Sequence, residues 1–372
     1  MRYNDPISGE LRVRSNGGHN RHITSAIIDD ARLSTIAIVS AILLLAIVTT
    51  VFFTAFADDF SFPTWGEIGH SHNANASKGP YATRTDKKQF VARQGGSDIS
   101  SLTLYSKNAI LIRVSDMTTL AHKGADEVIY PASMTKVMTV IVALDHIKDL
   151  DETYLIKSNI ISSMPSGASN AGLKEFVGQS MSYRDLLYGV TYLSAADSVL
   201  CVIDALGFTV SEFVDLMNDK AKEIGLESTH FGGAIGMDSE NNRSTCRDIA
   251  AIMAYAMENP VCRELFGGTQ YRTQSVKDVP YYNSTLHTGI NDFDDRANGF
   301  DASPSTILRG YTVLAAKSGF EVMAGYCLVS YIENTETGEG FVLVTANAEA
   351  YKDPYRKTRI YDMQEIFEAI AP

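Results

Sequence analysis

The chain has 372 residues, 45% hydrophobic and 20% charged, a composition that excludes collagen, coiled coil and wholesale disorder. Acidic residues outnumber basic ones 44 to 32, giving a formal charge of −12, a poor match for a nucleic-acid binder, whose affinity rests on Lys and Arg meeting phosphates. The four cysteines (Cys201, Cys246, Cys262 and Cys327) show no CxxC or Cys/His clustering, which argues against a zinc site or a disulfide framework.

The first organised feature is the run Leu33 to Ala57, which contains no charge, Pro or Gly. About 20 apolar residues suffice to span a bilayer core, and a signal-peptide core is shorter, about 7–15 residues. Ala55-Phe56-Ala57 nevertheless has the small-x-small pattern of a cleavage site, so an uncleaved anchor and a cleaved signal both stay open, with length favouring the anchor. Arg12, Arg14, Arg21 and Arg32 precede the run, and Asp58 and Asp59 follow it. Positive flanks stay cytoplasmic. The expected organisation is a cytoplasmic segment 1–32, a single transmembrane helix 33–57, an extracellular spacer 58–98 rich in Gly, Ser and Asn, and a folded external body 99–372. His70 and His72 in the spacer read as solvated polar residues rather than metal ligands.

In the body, Asn108 to Val114 is a β-rich apolar run followed by a polar turn. PASMTKVMTVIVALDHI then shows helical spacing, with Met134, Val137, Met138, Ile141 and Leu144 on one stripe. TVSEFVDLMNDKAKEIG predicts a second helix capped by Ser211, lined by Phe213, Val214, Met217, Ala221 and Ile224 and stopped by Gly225. STCRDIAAIMAYAMEN predicts a third. YTVLAAKSGF, AGYCLVSYIE and GFVLVTANAE read as closing strands, with TETGEG turning between the last two. A first strand, a long helical middle and a closing meander predict an α/β (α+β) domain whose terminal strands share one sheet. Cys201 and Cys327 fall in apolar runs and read as buried thiols; His230 and His287 lack a partner pattern.

Chemistry concentrates in a few short segments. Ser133-Met134-Thr135-Lys136 is the one Ser-x-x-Lys in the chain. On a helix, residues three apart share a face. A serine hydroxyl becomes a nucleophile when an adjacent base takes its proton, and lysine can be that base if its pKa is lowered. Ser133 at a helix start would also meet free N–H groups, which favour developing negative charge. Ser194 opens the segment SAADS after the apolar LLYGVTYL, and Lys317-Ser318-Gly319 stands on a predicted strand.

A Ser-x-x-Lys, a Ser-led motif before a helix and a Lys-Ser/Thr-Gly on a strand form the ordered set of the penicillin-recognising serine enzymes. With YPASMTKVMT, LLYGV, EFVDLMNDKAKEIGLESTHF, GMD, STCRD and AAKSGF…AGYCLV in order, Ser101 to Ala350 resembles the serine-type D-alanyl-D-alanine carboxypeptidases, the low-molecular-mass penicillin-binding proteins. The resemblance implies a β-lactamase/transpeptidase-like fold, with an antiparallel five-stranded sheet flanked by helices and a mainly helical lobe. It implies removal of the terminal D-Ala from peptidoglycan pentapeptides through an acyl-enzyme, covalent binding of β-lactams, and no metal or organic cofactor. Carried over, Ser133 is the nucleophile, Lys136 the base and Ser194 a proton relay. Lys317, Ser318 and Gly319 bind substrate, and the backbone N–H groups of Ser133 and Phe320 form the oxyanion hole. The expected partners are the peptidoglycan stem peptide, β-lactams and, through the N-terminal helix, the membrane, with no nucleic acid.

One position departs from the pattern. The middle motif is Ser-x-Asn, and here its third residue is Ala196, which cannot hydrogen-bond substrate; Asp197 is expected to point elsewhere, since adjacent helical residues do not share a face. Two alternatives to the carboxypeptidase therefore stay open: a D,D-endopeptidase, which would use identical residues, and a weakly active or non-catalytic cell-wall or β-lactam binder. A class A β-lactamase is disfavoured, because no Glu with Asn four residues later lies between Ser194 and Lys317.

Overall fold

The computed structural model describes residues 78–85, 90–286, 308, 310–349 and 358–370, all within one compact unit spanning 77–372. The Leu33–Ala57 run, His70, His72 and His287 lie outside the described residues. Among those described, no helix is long and apolar enough to cross a membrane.

The main sheet is built from β1 (Ser97–Asp98), β2 (Asn108–Arg113), β3 (Thr118–Lys123) and three late strands numbered below. The helical middle follows. A 3-10 turn (Ala132–Met134) leads into α1 (Thr135–His146), and β4 (Thr153–Leu155), α2 (Ser158–Ser162) and β5 (Ser180–Ser182) come next. Helices α3 (Tyr183–Tyr192), α4 (Ala196–Ala205), α5 (Val210–Ile224), α6 (Cys246–Met257) and α7 (Pro260–Phe266) complete the lobe. A small hairpin, β6 (Gln270–Arg272) with β7 (Pro280–Tyr282), precedes β8 (Tyr311–Glu321), β9 (Gly325–Asn334) and β10 (Gly340–Ala348), and α8 (Thr358–Ile370) ends the described chain.

The strand order is β1-β3-β2-β10-β9-β8. Strands from both ends do share one sheet, because β10 pairs antiparallel with both β2 and β9. The expected five antiparallel strands are corrected to six in a mixed sheet, since β1 joins β3 in parallel. Both β1 residues are exposed, so Ser-Asp carries no hydrophobic alternation by which to read a strand. β3 was likewise read only as the polar turn after β2. Its sequence TTLAHK alternates half-buried and buried positions without a strong apolar face.

Successive side chains of a strand face opposite sides, and different elements cover the two sides here. Ile110, Ile112, Cys327, Val329, Val342 and Val344 pack into the helical core. Leu111, Leu328 and Leu343 pack against Ile360, Met363, Ile366 and Phe367 of α8. All four cysteines are buried and unpaired.

The packed chain begins before residue 99. Gly79 N donates to Asp145 O at 2.7 Å, Asn259 Nδ2 donates to Tyr81 O at 2.7 Å, and the buried Phe90 meets the Tyr255 ring edge-on. Helix starts are set by side-chain caps: Ser182 for α3, Thr245 for α6 and Asn259 for α7. For α5 the cap is Thr209 rather than the expected Ser211. Thr209 and Glu212 form a reciprocal capping box, which satisfies two free N–H donors where Ser211, already inside the helix, would satisfy one.

Helix α1 is buried from Thr135 to Asp145. A helix apolar on every side belongs in the centre of a lobe, and α1 is held there at its far end by charge. Lys220 of α5, 5% exposed, donates to Asp145 at 2.6 Å and to Glu223 at 2.7 Å. Removing one partner of a buried pair leaves an uncompensated charge, typically about 3–5 kcal/mol. Lys220→Met, which keeps the bulk, is expected to cost that amount. Urea unfolding should show a lower midpoint with an unchanged slope, and an unchanged midpoint would refute the role given to this pair.

Candidate active site

The Ser133 turn is shaped by two close approaches. Ala132 takes φ of +47°, a region costly for residues with a Cβ, and Met134 N closes the turn on Pro131 O at 3.0 Å. A Cβ added to Gly319 would lie 2.9 Å from Ala132 Cβ and 3.0 Å from Ser133 N; one added to Gly236, at φ of +74°, would lie 2.1 Å from Ala132 O. Gly319 thus lets β8 reach the Ser133 turn.

Lys136 is 2% exposed. Its Nζ donates to Ser133 Oγ at 3.1 Å and to Ile235 O at 2.5 Å. Burial pushes its pKa down to about 7, against an opposing pull from the Glu321 carboxylate. The loop carrying Ile235 is fastened to α1 by Thr139 Oγ1, which donates to Ala234 O at 2.7 Å. Ile235 and Glu321 were not singled out in the sequence. A backbone carbonyl leaves no residue-type signal, and Glu321 owes its position to the β8 register, on the same face as Lys317 and Gly319.

Lys317 is wholly buried, with Nζ donating to Ser318 O at 2.7 Å. Its pKa is held well below the usual lysine value, first by burial and then by the charges of Lys136 and Arg359. Both lysines therefore hold their protons less tightly than a solvated lysine. Thr285, another residue the sequence reading missed, bonds both polar ends of Ser318: Oγ to Oγ1 at 2.9 Å and N to Oγ1 at 3.1 Å. Strand β8 is the sheet edge. Because Ser318 N points away from β9, the two-residue period puts the Phe320 N–H on the same free edge, beside the Gly319–Ser133 approach.

The Ser194 motif reaches this edge through α3. Ser284 N donates to Tyr192 O at 2.9 Å, so the end of α3 is tied to the residue preceding Thr285. Ser194 sits at φ of +56°, and its buried Oγ has no hydrogen-bond partner. The structure therefore brings Ser133 and Lys136 into contact and aligns Lys317, Ser318 and Gly319 along β8, while Ser194 makes no hydrogen bond to either group. Ala196 is 1% exposed at the start of α4. Asp197 does point elsewhere: its carboxylate accepts from Ala171 N at 2.9 Å and Leu173 N at 3.0 Å.

Comparisons with known proteins agree with this architecture. Residues 96–350 match the family model of the D-alanyl-D-alanine carboxypeptidases (peptidase S11). A D-alanyl-D-alanine carboxypeptidase of Bacillus subtilis is 33% identical over 165 residues, 44% of this chain and 41% of that relative's length. One from Streptomyces sp. is 28% identical over 257 residues, 66% of this chain and 82% of its own length. A D-alanyl-D-alanine endopeptidase of Pseudomonas aeruginosa is 26% identical, over 61% of this chain and 66% of that protein. Among solved structures, the Streptomyces K15 DD-transpeptidase superposes with TM-score 0.59 at 24% identity, covering 72% of this chain and 97% of that one. The fold is the penicillin-binding, transpeptidase-like α/β fold, and the chain belongs to the D-alanyl-D-alanine carboxypeptidase family.

Proposed function

We propose that the protein is a serine D,D-carboxypeptidase that removes the terminal D-Ala from peptidoglycan pentapeptides and is acylated by β-lactams. The observation that carries the reading is the 3.1 Å contact between Ser133 Oγ and a buried lysine whose pKa is about 7. Neutral Lys136 takes the hydroxyl proton as Oγ attacks the carbonyl carbon of the penultimate D-Ala. The Ser133 and Phe320 N–H groups stabilise the tetrahedral oxyanion. Lys317, with the Ser318 and Thr285 hydroxyls, takes the substrate's terminal carboxylate. Ser194 passes the proton to the departing D-Ala amine. Water then attacks the acyl-enzyme, releasing the shortened peptide and restoring Ser133.

Penicillin is expected to add covalently to the wild type and not to Ser133→Ala, whose thermal unfolding should match wild type. An adduct on the variant ends the assignment. Release of D-Ala from a pentapeptide, against cleavage of cross-linked dimers, separates the carboxypeptidase from the endopeptidase that the Pseudomonas aeruginosa relative's name suggests. Labelling without turnover selects a binder, the outcome that Ala196 favours.

Lys136 must be neutral to act, so the acylation rate should rise with pH, with a midpoint near its pKa of about 7. A midpoint near that of a free lysine, about 10, would show that burial does not tune this group.

The body is further proposed to lie outside the cell, held by Leu33–Ala57 as a single-pass anchor. The support is an uncharged run preceded by Arg32 and followed by Asp58 and Asp59. Protease added to intact cells should digest the body; protection would reverse the orientation, and a mature form starting at Asp58 would show cleavage.

A further inference from the structure

Ala196 carries no amide, and the loop packed against the start of α4 carries one at Asn170. Ala196 N donates to Ser169 O at 2.7 Å. Ala171 N donates to both Asp197 oxygens, at 2.9 and 3.1 Å. Asn170 is the residue between those two clamps, one Cα step of about 3.8 Å from each, so it is pinned against the first turn of α4. Its neighbour Ala171 turns inward, its methyl 3.6 Å from where a Gly189 Cβ would stand. Asn170 itself is exposed. Its Oδ1 accepts from Gly172 N at 3.2 Å, which orients the amide and leaves Nδ2, a donor of two hydrogens, unused among the described residues.

A peptide lying along the free edge of β8 presents carbonyls on its opposite side, and these need donors. Neither the Ala196 methyl nor Asp197, which is spent on the loop, can provide one. We propose that Asn170 is a substrate-binding residue whose Nδ2 donates to a backbone carbonyl of the bound peptide or the β-lactam side-chain amide, in place of an amide at position 196. The inference rests on the D,D-peptidase reading above and names a contact that the motifs do not contain.

The test is the second-order rate constant for acylation by penicillin, followed by mass spectrometry. Asn170→Asp keeps the acceptor for Gly172 N and removes the donor; Asn170→Ala removes both. Both variants should acylate roughly ten- to a hundredfold more slowly, the range for a lost hydrogen bond at the transition state, with unchanged pH midpoint and thermal stability. Ala196→Asn, added to either variant, should restore the rate to within about threefold of wild type while changing the wild type much less, because two amides would serve one carbonyl. Rates within twofold of wild type for both variants overturn the proposal. So does slowing by Asn170→Ala alone, which would mean that loop shape matters and the donor does not. An equal effect of Ala196→Asn on both backgrounds overturns it as well. A wild type that never labels with penicillin instead overturns the D,D-peptidase reading, and this inference with it.

Discussion

Lys136 is buried with its Nζ bonded to two uncharged oxygens, the Ser133 hydroxyl and the Ile235 carbonyl. A lysine in that setting gives up its proton readily, because burial disfavours the ammonium and no carboxylate is bonded to it. Much of the architecture serves this arrangement. Helix α1 is central so that its first turn can be dry. Gly236 at positive φ lets the Ile235 loop cross over Ala132, and Gly319 lets the sheet edge close from the other side.

The second lysine gives the cleft its sign. Burial holds the Lys317 pKa down and the charge of Lys136 adds to this, while Glu321 opposes the effect of burial on Lys136. The Glu321 carboxyl is itself raised by burial and by the neighbouring Asp238. A carboxylate arriving beside Lys317 would raise its proton affinity, since an opposite charge favours the ammonium. Within this chemistry Ala196 removes a directional hydrogen bond without altering charge.

Strain is placed beside the chemistry. Ala132 and Ser194 both hold positive φ, at a cost of order 1–3 kcal/mol each. The first lies next to Ser133 and the second in the turn between α3 and α4. Around Ala132 the neighbours that enforce the conformation are Gly236 and Gly319, which approach it closely.

The strong periodic elements were legible in the residues alone. The apolar stripe from Met134 to Leu144, the amphipathic α5 ending at Gly225 and the three closing strands each satisfy a local rule that needs no neighbour. Ser-x-x-Lys and Lys-Ser-Gly were legible because residue type and order carry their chemistry. The sixth strand, Thr285, the Ile235 carbonyl, Glu321 and the clamp on Asn170 were not. Ser97–Asp98 is a strand only because β3 lies beside it, and Ile235 acts through a group that every residue possesses. Asn170 is held near the start of α4 because Ser169 O accepts from Ala196 N and Asp197 gathers the N–H groups of a loop more than twenty residues earlier in the chain. Sequence by itself determined which groups can react, since pattern and residue type are local properties. Tertiary structure decided which are dry, which are paired and which backbone atoms hold them, because burial and hydrogen bonding between distant segments depend on the folded whole.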